Sequence, residues 1–227
     1  MDSNGKDPDS SSPTLKNQHK ILWRKPLPNG QLFDLRDEPG KYLSFKAQSE
    51  KFYLTSDSIS NSFRDRKSYQ SIINSIDKNK LDHFQLAGST IAARIVFPGN
   101  RIGNQATINV ERGFNRQISD RFDLTLECIR LQYLGENNPL SNLLGRYWSF
   151  FELFKDFSSY VVFFMLEDLV SEKDSRVKFL TVFKGDFPEK PLPQSVTEYI
   201  EYMEATMKFL EARKVRINNW VTSNYLK

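Results

Sequence analysis

An α+β fold is what this sequence predicts: a small antiparallel sheet of about five or six strands, packed mainly on one side by several helices and closed by a long C-terminal helix. Three observations carry the prediction. Short runs rich in Phe, Tyr and Leu recur between residues 31 and 55, and strand-like runs flank the Pro98–Asn104 turn between 90 and 110. Apolar side chains at helical spacing mark residues 118–133 and 196–221. The 227 residues are 39% hydrophobic and include 18 Phe, enough buried surface to offset chain entropy and to exclude intrinsic disorder.

Residues 1–11 are expected to form a flexible or docked N-terminal segment, and residues 12–227 a single α+β domain. Ser12-Pro13-Thr14 reads as a helix start, with a hydroxyl N-cap and a proline where its missing N–H costs nothing. Leu15, His19, Leu22 and Trp23 continue it as one stripe until Pro26 and Pro28 end it. Strands are expected over Gln31–Arg36, Lys41–Lys46 and Lys51–Thr55, then a helix over Ser62–Ile76 and a weaker helical turn at Leu81–Leu86. Thr90–Phe97 and Ala106–Val110 read as a hairpin around the Pro98–Asn104 turn.

Ile118, Phe122, Leu126, Ile129 and Tyr133 form the inward face of a longer helix that Gly135 stops. Pro139 to about Phe154 reads as the next helix. Ser158–Val170 fits a third helix, with a buried strand at Tyr160–Phe164 as the alternative. Arg176–Phe183 reads as a strand, and Ser195-Val196-Thr197-Glu198 is a capping box opening the last helix. The ring-rich stretch Tyr147–Phe164 reads as core, with an association surface or a hydrophobic pocket as alternatives. Trp220 to Tyr225 show no packing partner in their own neighbourhood.

Composition narrows the function classes. Cys128 is alone, so no disulfide framework exists. With only His19 and His83, cysteine- or histidine-based metal sites at short spacing are excluded in practice. The first residues lack the basic start and apolar stretch of an export signal. The longest apolar run, Tyr160–Leu166, falls far short of the roughly 20 residues of a membrane span. A cytoplasmic protein is the expectation.

Charge is uneven. Residues 61–117 hold nine basic and four acidic side chains, whereas residues 118–175 hold five basic and ten acidic. Either a basic face meets phosphates, or the two segments neutralise one another in the fold. Asp120, Asp123 and Glu127, followed by Arg130, are spaced as one helix face and are the candidate catalytic residues, since three carboxylates suit a hard cation such as magnesium. Arg112 and Arg116, just ahead of that helix, and Arg101 in the glycine-bearing turn are the candidate phosphate contacts. Phe114 between two of them is the candidate stacking residue. The same residues also make ordinary pairs at i,i+3 and i,i+4.

Several stretches, Leu22-Trp23-Arg24-Lys25-Pro26-Leu27-Pro28, Val96-Phe97-Pro98-Gly99-Asn100-Arg101-Ile102 and Arg112-Gly113-Phe114-Asn115-Arg116 through Arg130 among them, resemble a bacterial family of about this length whose function is unknown. The resemblance implies a single-domain cytoplasmic protein, a docked Asp7-Pro8-Asp9 and a carboxylate where Val162 stands here, and it attaches no activity. From the basic loop feeding directly into the acidic helix stripe, the expected function is binding of, or action on, a nucleotide or nucleic acid. The alternative is a non-enzymatic interaction module of the toxin–antitoxin or phage-defence kind, with a homodimer as a further expectation.

Overall fold

The computed structural model describes residues 12–48, 50–183 and 185–225, so the expected docking of Asp7-Pro8-Asp9 lies outside the described residues. Helix α1 (Pro13–Leu22) begins as expected: Ser12 Oγ accepts from the Leu15 N–H at 3.2 Å, and Leu15, His19, Leu22 and Trp23 are buried. Replacing Ser12 with alanine should cost about 1 kcal/mol, readable as a lower urea midpoint.

Among the described residues the sheet has three strands rather than five or six: β1 (Leu43–Lys46), β2 (Lys51–Ser58) and β3 (Arg94–Pro98), in the order β1-β2-β3 and antiparallel throughout. Leu43 faces Leu54 and Phe45 faces Phe52 across the first pair, and Thr55 faces Phe97 across the second. Phe52, Leu54 and Ser56 alternate inward along β2, the period-two signature of a half-buried strand.

Each missing strand has a physical reason. Gln31–Arg36 makes only isolated bridges, Pro26 to Leu32 and Arg36 to Ser44, and Pro26, opposite Leu32, has no N–H to extend a ladder. Ala106–Val110 is not the return of a hairpin. It enters α4 (Ile108–Phe114), where Ile108 and Arg112, one helical turn apart, both point inward. Arg176–Phe183 makes one bridge, Val170 to Val177, and otherwise spends its backbone elsewhere: the Leu180 N–H goes to Asp123 Oδ2 at 2.8 Å and the Lys178 N–H to Leu169 O at 2.8 Å.

The helices also differ from expectation. Ser62–Ile76 is helical only over Lys67–Tyr69, as a 3₁₀ turn, and α2 (Gln70–Ile73), because Phe63 lies in the left-handed region and Asn61 Oδ1 takes its N–H in a tight local turn. The expected weak turn near residue 81 is instead a full helix, α3 (Lys78–Gly88), capped by Asp77. A 3₁₀ turn, Ile91–Ala93, replaces the first residues of the expected strand ahead of β3.

Helix α5 spans Phe122–Tyr133 and stops as expected at Gly135, whose φ of +72° lets the Glu136 N–H reach back to Leu131 O. The next expected helix divides into α6 (Ser141–Arg146) and α7 (Trp148–Glu152). Tyr160–Phe163 is helical, within α8 (Phe157–Phe163), Phe164 lies in the turn that follows, and a 3₁₀ turn covers Glu167–Leu169. Helix α9 runs from Val196 to Tyr225.

The buried apolar residues form one connected core reaching from Leu15 to Ile217. At its centre Phe150, Phe154, Tyr160 and Phe164, from the ring-rich stretch expected to be core, are fully buried together with Phe33, and the rings meet mostly edge-to-face or tilted. The far end of α9 does have a packing partner. Trp220 meets Tyr225 at 5.7 Å, and the Tyr225 hydroxyl reaches Ile21 O at 3.3 Å. Among the described residues no helix is long and apolar enough to cross a membrane.

Candidate functional site

The expected acidic stripe is broken at its first member. Ser119 and Asp120 lie in the left-handed region, with φ of +47° and +67°, so α5 starts two residues later and Asp120 stays in the connection from α4. That turn points Asp120 at Arg112 instead of along α5. Arg112 Nη2 donates to Asp120 O at 3.1 Å, and the Asp120 N–H returns to Arg112 O at 3.0 Å.

Arg112 is entirely buried. Its guanidinium pairs with Asp57 at the end of β2, lies 3.5 Å from Asp120 Oδ1, and donates to Thr125 Oγ1 at 3.2 Å and Ser58 O at 3.4 Å. Burial pulls against its charge, but Asp57 and Asp120 outweigh burial and raise its pKa. A guanidinium with every direction occupied is a strut between β2, α4 and α5, closed to a phosphate.

Asp123 is also buried, held by Arg121: Nε donates to Oδ1 at 3.0 Å and Nη2 to Oδ2. Arg121 further donates to Thr181 Oγ1 and to Pro191 O at 2.7 Å, fastening the 176–193 segment onto α5. Glu127 is gripped side-on by Arg130, Nε to Oε2 at 2.8 Å and Nη2 to Oε1 at 2.7 Å. This last pair lines a cavity of about 530 Å³ together with Gln117, Asn138, Arg176 and Asp186.

The three candidate carboxylates therefore face three different guanidinium groups and share no hollow. Among the described residues no group of three or more His, Cys, Asp or Glu side chains is placed to hold a metal ion. The geometry that the magnesium expectation needs is not formed by Asp120, Asp123 and Glu127.

The remaining candidates lie on the surface. Arg101 and Arg116 are exposed, and neither has an acidic partner among the described residues. Phe114 is 85% exposed at the end of α4, far beyond what an aromatic ring with a core role would show. Glu111, on the same helix, is neutralised by Arg146 at 2.8 Å. Of the two glycines of the Arg101 turn, Gly99 serves packing, since a Cβ there would clash with Thr55 Cγ2 of β2, and Gly103 serves the turn with a φ of +63°. The lone thiol, Cys128, is buried and its pKa is pushed up by burial, as an inert core side chain requires.

Residues not singled out in the sequence carry much of the chemistry. Asp57 and Arg121 complete the two buried pairs, and Arg213 of α9, fully buried, donates its hydrogen bonds to carbonyls: Ala92 O at 2.6 Å, Arg94 O at 2.9 Å and Phe164 O at 2.9 Å. Lys25 lies among Trp23, Phe163 and Trp220. The only local signal for it was a lysine set between an aromatic residue and two prolines.

Comparison with known proteins adds one finding. The model of a family of unknown function, DUF6994, matches residues 1–217. No curated protein and no solved structure matches the chain.

Proposed function

Because the chain belongs to that family of unknown function, no activity is carried over from a relative, and we propose that it is a binding protein whose exposed α4 edge takes single-stranded nucleic acid. Phe114 would stack on a base, while Arg116, and Arg101 ahead of α4, would meet phosphates. The observation that supports this is the pairing of charge around α4. Glu111, Asp120, Asp123 and Glu127 each have a guanidinium partner, whereas Arg101 and Arg116 have no acidic partner among the described residues, and the exposed ring of Phe114 comes two residues before Arg116 in the chain. The acids are structural on this reading, so binding rather than cleavage is the activity.

Fluorescence anisotropy with a labelled single-stranded oligonucleotide tests it. Two phosphate contacts predict a salt slope of about −1.4 for single strands, hence roughly sevenfold weaker binding over a fourfold rise in salt. Phe114→Ala should cost about 1–3 kcal/mol of affinity, and Arg116→Ala should reduce the salt slope by about 0.7. Absence of binding at low salt, or binding indifferent to salt, would remove nucleic acid as the ligand.

A protein partner is the second reading, and one observation favours it. Val110, 42% exposed, sits one helical turn before Phe114, so the two present an apolar edge. In that case Phe114→Ala would lose a co-purifying polypeptide, or a second copy of this chain, with no oligonucleotide binding to lose.

A further inference from the structure

A second place in the molecule has the chemistry of a reactive site. Between the Lys25–Pro28 segment, α8 and α9 lies a cavity of about 800 Å³, with Pro28, Val162, Met165 and Trp220 among its apolar walls. Val162, 57% exposed, stands at its mouth. Lys25 lines it, and its Nζ is 4.7 Å from the centroid of Phe163, 5.0 Å from Trp23 and 5.7 Å from Trp220, while donating to Phe163 O.

The charges facing this amine come from three directions. Arg213 on α9 hydrogen-bonds to carbonyls, lies over the Trp23 ring at 5.7 Å and has no salt-bridge partner among the described residues, so its positive charge is felt behind the rings. Glu167, on the 3₁₀ turn after α8, lines the same cavity, as does Arg216 of α9. Arg216 is itself held by Asp168 at 2.7 Å and lies 3.4 Å from Glu167. Rings favour an ammonium, but burial foremost and then the Arg213 charge prevail over Glu167, and the Lys25 pKa falls to about 7. Near neutral pH a large share of this amine is the free base, against well under one in a thousand for an exposed lysine at about 10.4.

From this placement we infer that the cavity accepts a small aldehyde or ketone with an apolar body and that Lys25 captures it as an imine. The Nζ lone pair attacks the carbonyl carbon, a C–N bond forms, and the oxygen gains the proton that nitrogen gives up. The resulting hydroxyl then leaves as water with a proton taken from solvent at the cavity mouth, and the second proton of the nitrogen returns to solvent, so that one carbonyl and one amine yield one imine and one water. No oxidant or reductant enters. Desolvated lysines in apolar pockets are suited to this step because the nucleophile is the unprotonated amine.

The test is reductive trapping on the full chain. The protein is incubated with benzaldehyde and cyanoborohydride at pH values from 5 to 9, and adducts are located by peptide mapping. The expected result is labelling of Lys25 about tenfold or more faster than any exposed lysine at pH 7, with a rate that climbs to a plateau just above pH 7. Lys25→Met should lose that adduct while the slow background remains. Val162→Trp, which narrows the mouth without touching Lys25, should slow Lys25 labelling and leave the background unchanged; it serves if Lys25→Met fails to fold. Label spread over exposed lysines with no preference for Lys25, or a Lys25 rate still rising tenfold per pH unit to pH 9, would overturn the inference.

Discussion

Replacing Asp123 with alanine should cost about 3–5 kcal/mol, a large part of the roughly 5–15 kcal/mol that holds a domain folded. The loss has two sources. The Arg121 guanidinium would remain buried with Thr181 and Pro191 as partners but without its counter-charge, and the Leu180 N–H would lose its acceptor. Because that acceptor anchors the 176–183 segment, this segment should open first, seen as faster amide exchange from Lys178 to Thr181. Urea unfolding measures the total. A paired change, Asp123→Leu with Arg121→Met, should recover much of it, since removing both charges also removes the cost of burying them. Stability unchanged in Asp123→Ala would show that the carboxylate is not a structural partner and would restore it as a candidate for chemistry.

The second large effect is acid sensitivity centred on His19. The ring is fully buried on α1: Nδ1 is 2.8 Å from the Tyr42 hydroxyl, and Nε2 has no hydrogen-bond partner among the described residues. Burial first, and then the Arg213 and Arg94 charges, lower its pKa from 6.5 to about 3. The unfolded chain thus binds a proton that the folded chain refuses. The contribution is fully present above pH 6.5, declines as the pH falls below that value and is exhausted near pH 3. Between pH 7 and pH 4 the two and a half pH units below 6.5 amount to about 3 kcal/mol, at 1.36 kcal/mol each. Urea midpoints at the two pH values read this directly, and His19→Gln should be the less stable protein at pH 7 yet show a distinctly shallower decline towards pH 4. An equal decline in both would assign the acid response to other groups.

Elements built from local signals were legible in the sequence. The α1 start needs only Ser12 and Pro13, the end of α5 only Gly135, and the start of α9 only residues 194–198, where the Glu198 N–H meets Ser195 Oγ at 3.2 Å and Glu198 Oε2 accepts the Gln194 N–H at 2.7 Å. Apolar periodicity likewise identified Phe122, Leu126 and Ile129 of α5 as buried, but not that Asp123, Leu124, Thr125, Glu127 and Cys128 on its other faces are buried as well. Strand number was not legible, because a β-rich run becomes a strand only where a partner offers free N–H and C=O groups. Residues 31–36 met Pro26, and residues 176–183 met Asp123 and Leu169.

The candidate site divides along the same line. Composition and spacing alone determined that this chain carries an acid-rich helix behind a basic loop, a solitary cysteine and no histidine cluster, because those are properties of neighbouring residues. Whether those charges face a ligand or each other was decided only by tertiary structure. Asp57 lies 55 residues from Arg112, and Phe163 lies 138 residues from Lys25. The energy of bringing such groups together depends on how deeply the surrounding core excludes water, a quantity that no short stretch of sequence contains.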